Sequence, residues 1–136
     1  MTEKQKMLMG ILYNAEDQAL IEERNHAKSL TRQFNEHWED KGRRNYLIGQ
    51  IFGSLGKNVH LEAPIYLDYG YRTTIGSDFF SNFNLTILDG GGVEIGNHVF
   101  IGPIRKPKQI NSYPHYLDTS STFTMERSQE RHQMAE

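Results

Sequence analysis

The fold is decided by the stretch Ile75-Gly76-Ser77-Asp78-Phe79-Phe80-Ser81-Asn82-Phe83-Asn84-Leu85-Thr86-Ile87-Leu88-Asp89-Gly90-Gly91-Gly92-Val93-Glu94-Ile95-Gly96-Asn97-His98-Val99. Its apolar positions follow neither the two-residue period of a half-buried strand nor the 3.6-residue period of a helix. Ile75, Ile87, Val93 and Val99 instead fall in one register six residues apart, with Ser81 at the intervening position. Three short strands of six residues make a triangular coil of about 18 residues, which sets Ile75 against Val93. A narrow prism has room for one small aliphatic side chain per face, and glycine after the aliphatic residue permits the sharp turn. Such coils stack, each supplying backbone partners to the next. Val59 and Ile65 are also six apart but in a shifted register, which predicts an insertion or an irregular first coil.

Outward from this stretch the composition changes twice. Toward the N-terminus, residues 3–54 read as helical. Leu20, Ala27, Leu30 and Phe34 form an apolar stripe, with Glu22, Glu23, Lys28 and Arg32 between them. Asp17 stands just ahead of the stripe, where it can cap the helix. A turn is expected near Glu39-Asp40-Lys41-Gly42. A second helix then runs through Tyr46, Leu47, Ile51 and Phe52 and ends near Gly53 or Gly56. Toward the C-terminus the pattern stops at Pro103. The register calls for an inward aliphatic residue at 105, and Arg105 stands there, followed by Lys106, Pro107 and Lys108. Residues 104–136 carry no core pattern and read as loop, an isolated helix or disorder. The expected organisation is therefore a helical segment over 1–57, an incomplete β-helix over 58–103 and an atypical tail over 104–136. The last coil is left exposed as an edge.

A chain of 136 residues suits one domain with a modest core. Fifteen Lys and Arg against 17 Asp and Glu give a net charge of -2, which argues against a dedicated nucleic-acid binder. The absence of cysteine excludes a disulfide scaffold, a Cys nucleophile and a thiolate metal site. No apolar run has the roughly 18 residues of a membrane span, and the N-terminus lacks a signal-like stretch, so the expected location is the cytoplasm. The six histidines are scattered without ligand spacing, so no metal site is expected. Gly90-Gly91-Gly92 lacks the Lys-Ser/Thr ending of a phosphate-binding loop and reads as a coil corner.

The residues also resemble a known family. Lys6-Met7-Leu8, Leu12-Tyr13-Asn14-Ala15-Glu16-Asp17, Leu20, Arg24, Lys28, Leu30 and Phe34-Asn35 carry the resemblance in the helical part. Pro64-Ile65-Tyr66-Leu67-Asp68-Tyr69-Gly70-Tyr71, Asn82-Phe83-Asn84, Ile87-Leu88-Asp89 and Val99-Phe100-Ile101-Gly102-Pro103 carry it in the coils. This pattern is similar to the maltose and galactoside O-acetyltransferases of the hexapeptide-repeat superfamily. The resemblance implies a left-handed parallel β-helix behind an N-terminal helical segment. It also implies a homotrimer with active sites between subunits, and acetyl transfer from acetyl-CoA to a sugar hydroxyl. It further implies a histidine general base in a loop soon after the Gly102-Pro103 element. In this chain that loop is replaced by a different sequence, in which His115-Tyr116-Leu117-Asp118 keeps a His-x-Leu-Asp spacing about three residues late. The change of composition inside a repeat predicts a truncated or frameshifted member, and a catalytically incomplete one is the rival to an active enzyme.

Candidate roles follow, each beside a plainer one. His115 is the candidate catalytic base, or else a surface histidine of the tail. Asp17 is matched by resemblance to an acceptor contact, and a helix cap is its alternative. Asn84 and Asp89 are matched to positions facing the acceptor cleft, and the alternative is hydrogen bonding at coil corners. Tyr69 and Tyr71 offer aromatic faces to a sugar or to a subunit interface. Arg24 reads as structural or sugar-contacting. No residue is assigned to acetyl-CoA, because the coils that hold it in the family lie beyond the recognisable repeats.

Overall fold

The computed structural model describes residues 1–103 and 116–118. Three helices lead the chain: α1 (Glu3–Met9), α2 (Gln18–Glu36) and α3 (Lys41–Ile51). Each starts at a side-chain cap, from Thr2, Asp17 and Asp40 respectively. The capping residue of α2 is the one expected from sequence, and Asp40 places α3 in the expected turn. The buried stripe of α2 is Leu20, Ala27, Thr31 and Phe34. Leu30 is half-buried and packs against the core from its flank.

Short strands follow: β1 (Ser54–Leu55), β2 (Val59–Leu61), β3 (Ile65–Leu67), β4 (Thr73–Ile75), β5 (Phe79–Ser81), β6 (Leu85–Ile87), β7 (Val93–Ile95), β8 (Phe100–Gly102) and β9 (Tyr116–Asp118). They form three parallel sheets in the orders β1-β4-β7, β2-β5-β8-β9 and β3-β6. Every third strand stacks on the one below, as a triangular β-helix requires. The tail was expected to hold no strand, yet β9 pairs with β8, Phe100 lying beside Tyr116. Position 105 lies outside the described residues.

The coil length differs from the expected 18 residues. Thr73 pairs with Val93 and Ile75 with Ile95, a step of 20, and the first coil keeps the same step with Leu55 beside Ile75 and Ile65 beside Leu85. The extra two residues sit at one corner. The links 68–72 and 88–92 are two residues longer than the links 76–78 and 82–84. The shifted register of Val59 and Ile65 is therefore no irregularity. A three-residue strand turns its first and third residues to the same side, so each face sends two side chains inward, not one. Thr73 and Ile75, Phe79 and Ser81, Leu85 and Ile87, and Val93 and Ile95 are all buried. Val59 simply occupies the first column and Ile75 the third. Full burial of each large aliphatic side chain stabilises by about 1.5–3 kcal/mol.

The glycine after Ile75 serves close approach and not the turn itself, whereas a Cβ at Gly96 would meet open space. Left-handed backbone falls two residues later, on Asn58, Asp78 and His98 (φ 57, 58 and 59°). These stack through the coils: Asn58 Nδ2 donates to Asp78 Oδ1 at 3.0 Å, and His98 Nδ1 lies 3.3 Å from Asp78 Oδ2. At Gly76 a Cβ would lie 2.7 Å from the Gly96 carbonyl.

The helices close the lowest coil. Asn35 donates to the Ile65 carbonyl at 3.0 Å and accepts from the Ile65 amide at 2.9 Å, taking the place of a strand beneath β3. Trp38 Nε1 donates to the Leu61 carbonyl at 2.7 Å. The long corner is held from inside by Asp89, which is fully buried. One carboxylate oxygen accepts from the Tyr69 amide at 2.8 Å and the other from Thr73 Oγ1 at 2.9 Å.

Two outcomes test this packing. Gly76→Ala should lower the stability read from urea midpoints by about 1–3 kcal/mol, the usual range for overpacking. Gly49→Ala, in the interior of α3 with open space at its Cβ, should raise it by about 0.5–1 kcal/mol; equal effects would refute the contact at Gly76. Burial, only partly offset by its hydrogen bonds, holds the Asp89 carboxyl above the usual carboxylate range. Its contribution is then greatest below an unfolded pKa of about 3.9 and is lost as pH rises through the folded value. The stability of the unmodified chain relative to Asp89→Asn should fall as pH rises from about 4. A difference that grows with pH would put the donors ahead of burial.

Candidate active site

Two clefts flank the long corner where the helices meet the coils. One, of ≈ 570 Å³, lies among Lys4, Glu23, His26, Gln50, Tyr69 and Tyr71. The other, of ≈ 560 Å³, runs between the stretch Met7 to Tyr13 and the corner residues Arg72, Gly90 and Gly91. The corner forms here because the link is long enough to leave the prism, and Gly70 and Gly92 take the left-handed backbone that lets it return (φ 80 and 85°).

Tyr69 is buried and its phenol receives a hydrogen bond from Arg24 Nη1 at 2.7 Å. Arg24 Nη2 donates to the Ala15 carbonyl at 2.8 Å, so one guanidinium ties the segment before α2 to the corner. Burial raises the Tyr69 phenol above its ordinary pKa against the pull of Arg24. Tyr71 crosses Tyr69 edge to face at 6.2 Å and lies under the Lys4 ammonium at 5.4 Å. Burial, followed by its hydrogen bond to Glu23, drives the Tyr71 phenol well above its ordinary value. Both phenols are therefore neutral donors in the physiological range. Glu23 pairs with Lys4 through Oε2 at 2.7 Å, while its Oε1 is buried without a hydrogen-bond partner.

The sequence-derived candidates do not all meet. Tyr69, Tyr71 and Asp89 converge on the long corner. Asp17 is linked to it through the segment that Arg24 holds, and one of its carboxylate oxygens is used in capping Ala19 at 3.1 Å. Both carboxylate oxygens of Asp89 face protein donors, and the side chain has no exposed surface. Asn84 belongs to a different corner, between β5 and β6. It has left-handed backbone (φ 72°), donates its amide to the Pro64 carbonyl at 2.8 Å and accepts from Thr86 at its own carbonyl. His115 lies outside the described residues.

Two lining residues, Arg72 and Tyr13, were not singled out from sequence as site residues. Arg72 had a readable signal, because it is the only Lys or Arg between Lys57 and Arg105. Tyr13 had none beyond the resemblance. Among the described residues no group of three or more His, Asp or Glu is placed to hold a metal ion. No helix among them is long and apolar enough to cross a membrane.

Residues 6–56 match the maltose acetyltransferase hexapeptide capping motif, a span that contains most of the helical segment. The chain is 37% identical over 100 residues to the galactoside O-acetyltransferase of Escherichia coli K12, covering 73% of this chain and 49% of that one. Among solved structures, a maltose O-acetyltransferase from Clostridium difficile 630 superposes with a TM-score of 0.73 at 44% identity, over 76% of this chain and 56% of that one. A galactoside acetyltransferase in complex with coenzyme A superposes with a TM-score of 0.66 at 32% identity, over 80% and 58%. The chain spans about half the length of the curated relatives it matches. With its helical cap and stacked parallel coils, the chain belongs to the hexapeptide-repeat sugar O-acetyltransferase family, related to the maltose and galactoside acetyltransferases.

Proposed function

We propose that this chain transfers an acetyl group from acetyl-CoA to a hydroxyl of a sugar acceptor such as maltose, glucose or a galactoside. The observation that carries this reading is the junction itself. A maltose-acetyltransferase capping motif meets hexapeptide coils, and open clefts lie at the joint. The likeness to a galactoside acetyltransferase solved with coenzyme A supports the choice of donor.

In this reading Asp17, Tyr69, Tyr71 and Asn84 contact the acceptor, and Asp89 holds the backbone of Tyr69 for that contact. His115 is the general base. Its neutral imidazole takes the proton of the acceptor hydroxyl as that oxygen bonds to the carbonyl carbon of the thioester. Collapse of the tetrahedral adduct breaks the C–S bond, and the imidazolium returns the proton to the departing thiolate. Three copies assemble as a homotrimer, with the active sites between neighbouring copies. The protein acts in the cytoplasm, where acetyl-CoA is available.

Purified protein given acetyl-CoA and a panel of glucosides and galactosides should release free thiol in proportion to acceptor. His115→Ala should lower kcat by at least about 100-fold, the lower end for loss of a general base. Light scattering on the same sample should give three chains per particle. A folded sample that releases no thiol with any acceptor overturns the reading.

A further inference from the structure

Arg72 stands apart from the rest of the β-helix. It lines the ≈ 560 Å³ cleft, and no other charged residue does. The remaining walls are apolar side chains from Met7 to Leu12, glycine backbone and Tyr13. Its guanidinium lies against Gly92 of the coil above, where a Cβ would come within 3.2 Å of Nη2. Left-handed backbone at Gly92 (φ +85°) and the space for the guanidinium both call for glycine at that position.

Among the described residues no carboxylate pairs with Arg72 and no acceptor takes its side-chain donors; Nε is buried without a partner. Arginine does not escape this situation by losing its proton. A part-buried, unpaired guanidinium is costly, and the group that best compensates it is an anion able to accept two parallel N–H bonds. Surrounding apolar walls strengthen that attraction by excluding water.

We infer that this cleft receives an acceptor carrying an anionic group, a carboxylate or a phosphate monoester, with Arg72 as the residue that selects it. The inference rests on the acetyl-transfer reading and narrows its acceptor. The anion docks on the Nη donors of Arg72, the apolar stretch from Met7 to Leu12 covers the ring's apolar face, and the Tyr13 hydroxyl stands within the same cleft.

The test is calorimetric titration of the full chain with glucose, glucuronate and glucose 6-phosphate at low salt, with no donor present. At least one acid should bind about tenfold or more tightly than glucose, a difference of about 1.4 kcal/mol. Which acid does so separates the carboxylate from the phosphate. Arg72→Met should abolish the preference and Arg72→Lys should keep part of it, with circular dichroism verifying the fold of both. In the unmodified chain, raising salt tenfold should weaken binding of the acid and leave glucose unchanged, a readout that needs no variant. Equal binding of acid and neutral sugars overturns the inference, as does a preference that survives Arg72→Met. In a separate titration of acetyl-CoA without sugar, Arg72→Met should bind as the unmodified chain does; a loss confined to acetyl-CoA affinity overturns the inference by moving Arg72 to the donor. Because no turnover is measured, failure here leaves acetyl transfer standing, and absence of thiol release leaves this result intact.

Discussion

Strands of three residues have no stability of their own, so everything in this protein depends on the 20-residue step that sets each strand on the one below. Parallel backbone pairing joins successive coils and stacks the inward side chains in columns, with Thr73 beside Val93 and Ser81 between Leu61 and Ile101. Ile65 lies under Leu85 and Leu67 under Ile87. The step must be constant at all three faces, because a slip at one would turn inward side chains outward at the next. The corners enforce it. Glycine at 76 allows the next coil to settle directly on the backbone, and the Asn58-Asp78-His98 column repeats one left-handed conformation at each level.

The long corner is where the scaffold leaves room for a candidate site. At two of its three corners the prism turns through short links, such as 62–64, 76–78 and 82–84, that hug the core. The third corner uses links of five residues, and these bulge outward to touch the helices. The bulge is costly in ordered backbone, and its polar groups need partners. Asp89 supplies them from within and Arg24 from without. The clefts open where the capping helices and the bulged links fail to fill space.

The hexad Ile75 to Val99 was legible because inward positions of a narrow prism tolerate few residue types. The same pattern misled about coil length. Ile87 and Val93 are six apart, yet one closes a strand and the other opens the next across a long link, so equal spacing hid two different columns. Helix α2 was legible from its stripe and its Asp17 cap, and α3 from its apolar residues and the turn before it, whereas the roles of Asn35 and Trp38 were not. Their partners are backbone groups of Ile65 and Leu61, 30 and 23 residues away, and backbone leaves no mark on composition. For the site, Tyr69 and Tyr71 were picked out as aromatic faces suited to a sugar or an interface, and the two rings do meet at the corner. Arg72 needed only the remark that no other Lys or Arg stands between Lys57 and Arg105.

The side-chain clamp of Asn35 on Ile65 gives the molecule a direction. Beneath the first coil the backbone groups of Ile65 are already paired by Asn35 and the Leu61 carbonyl by Trp38, which obstructs pairing at that edge and leaves the other end for a new layer. Contacts between layers reach back only about one coil. During synthesis, when the N-terminal part of a chain folds first, each turn of the prism can dock on the one before it shortly after leaving the ribosome. The capping helices are thus a seed as well as a lid, and the order in which the protein is made matches the order in which it can be built.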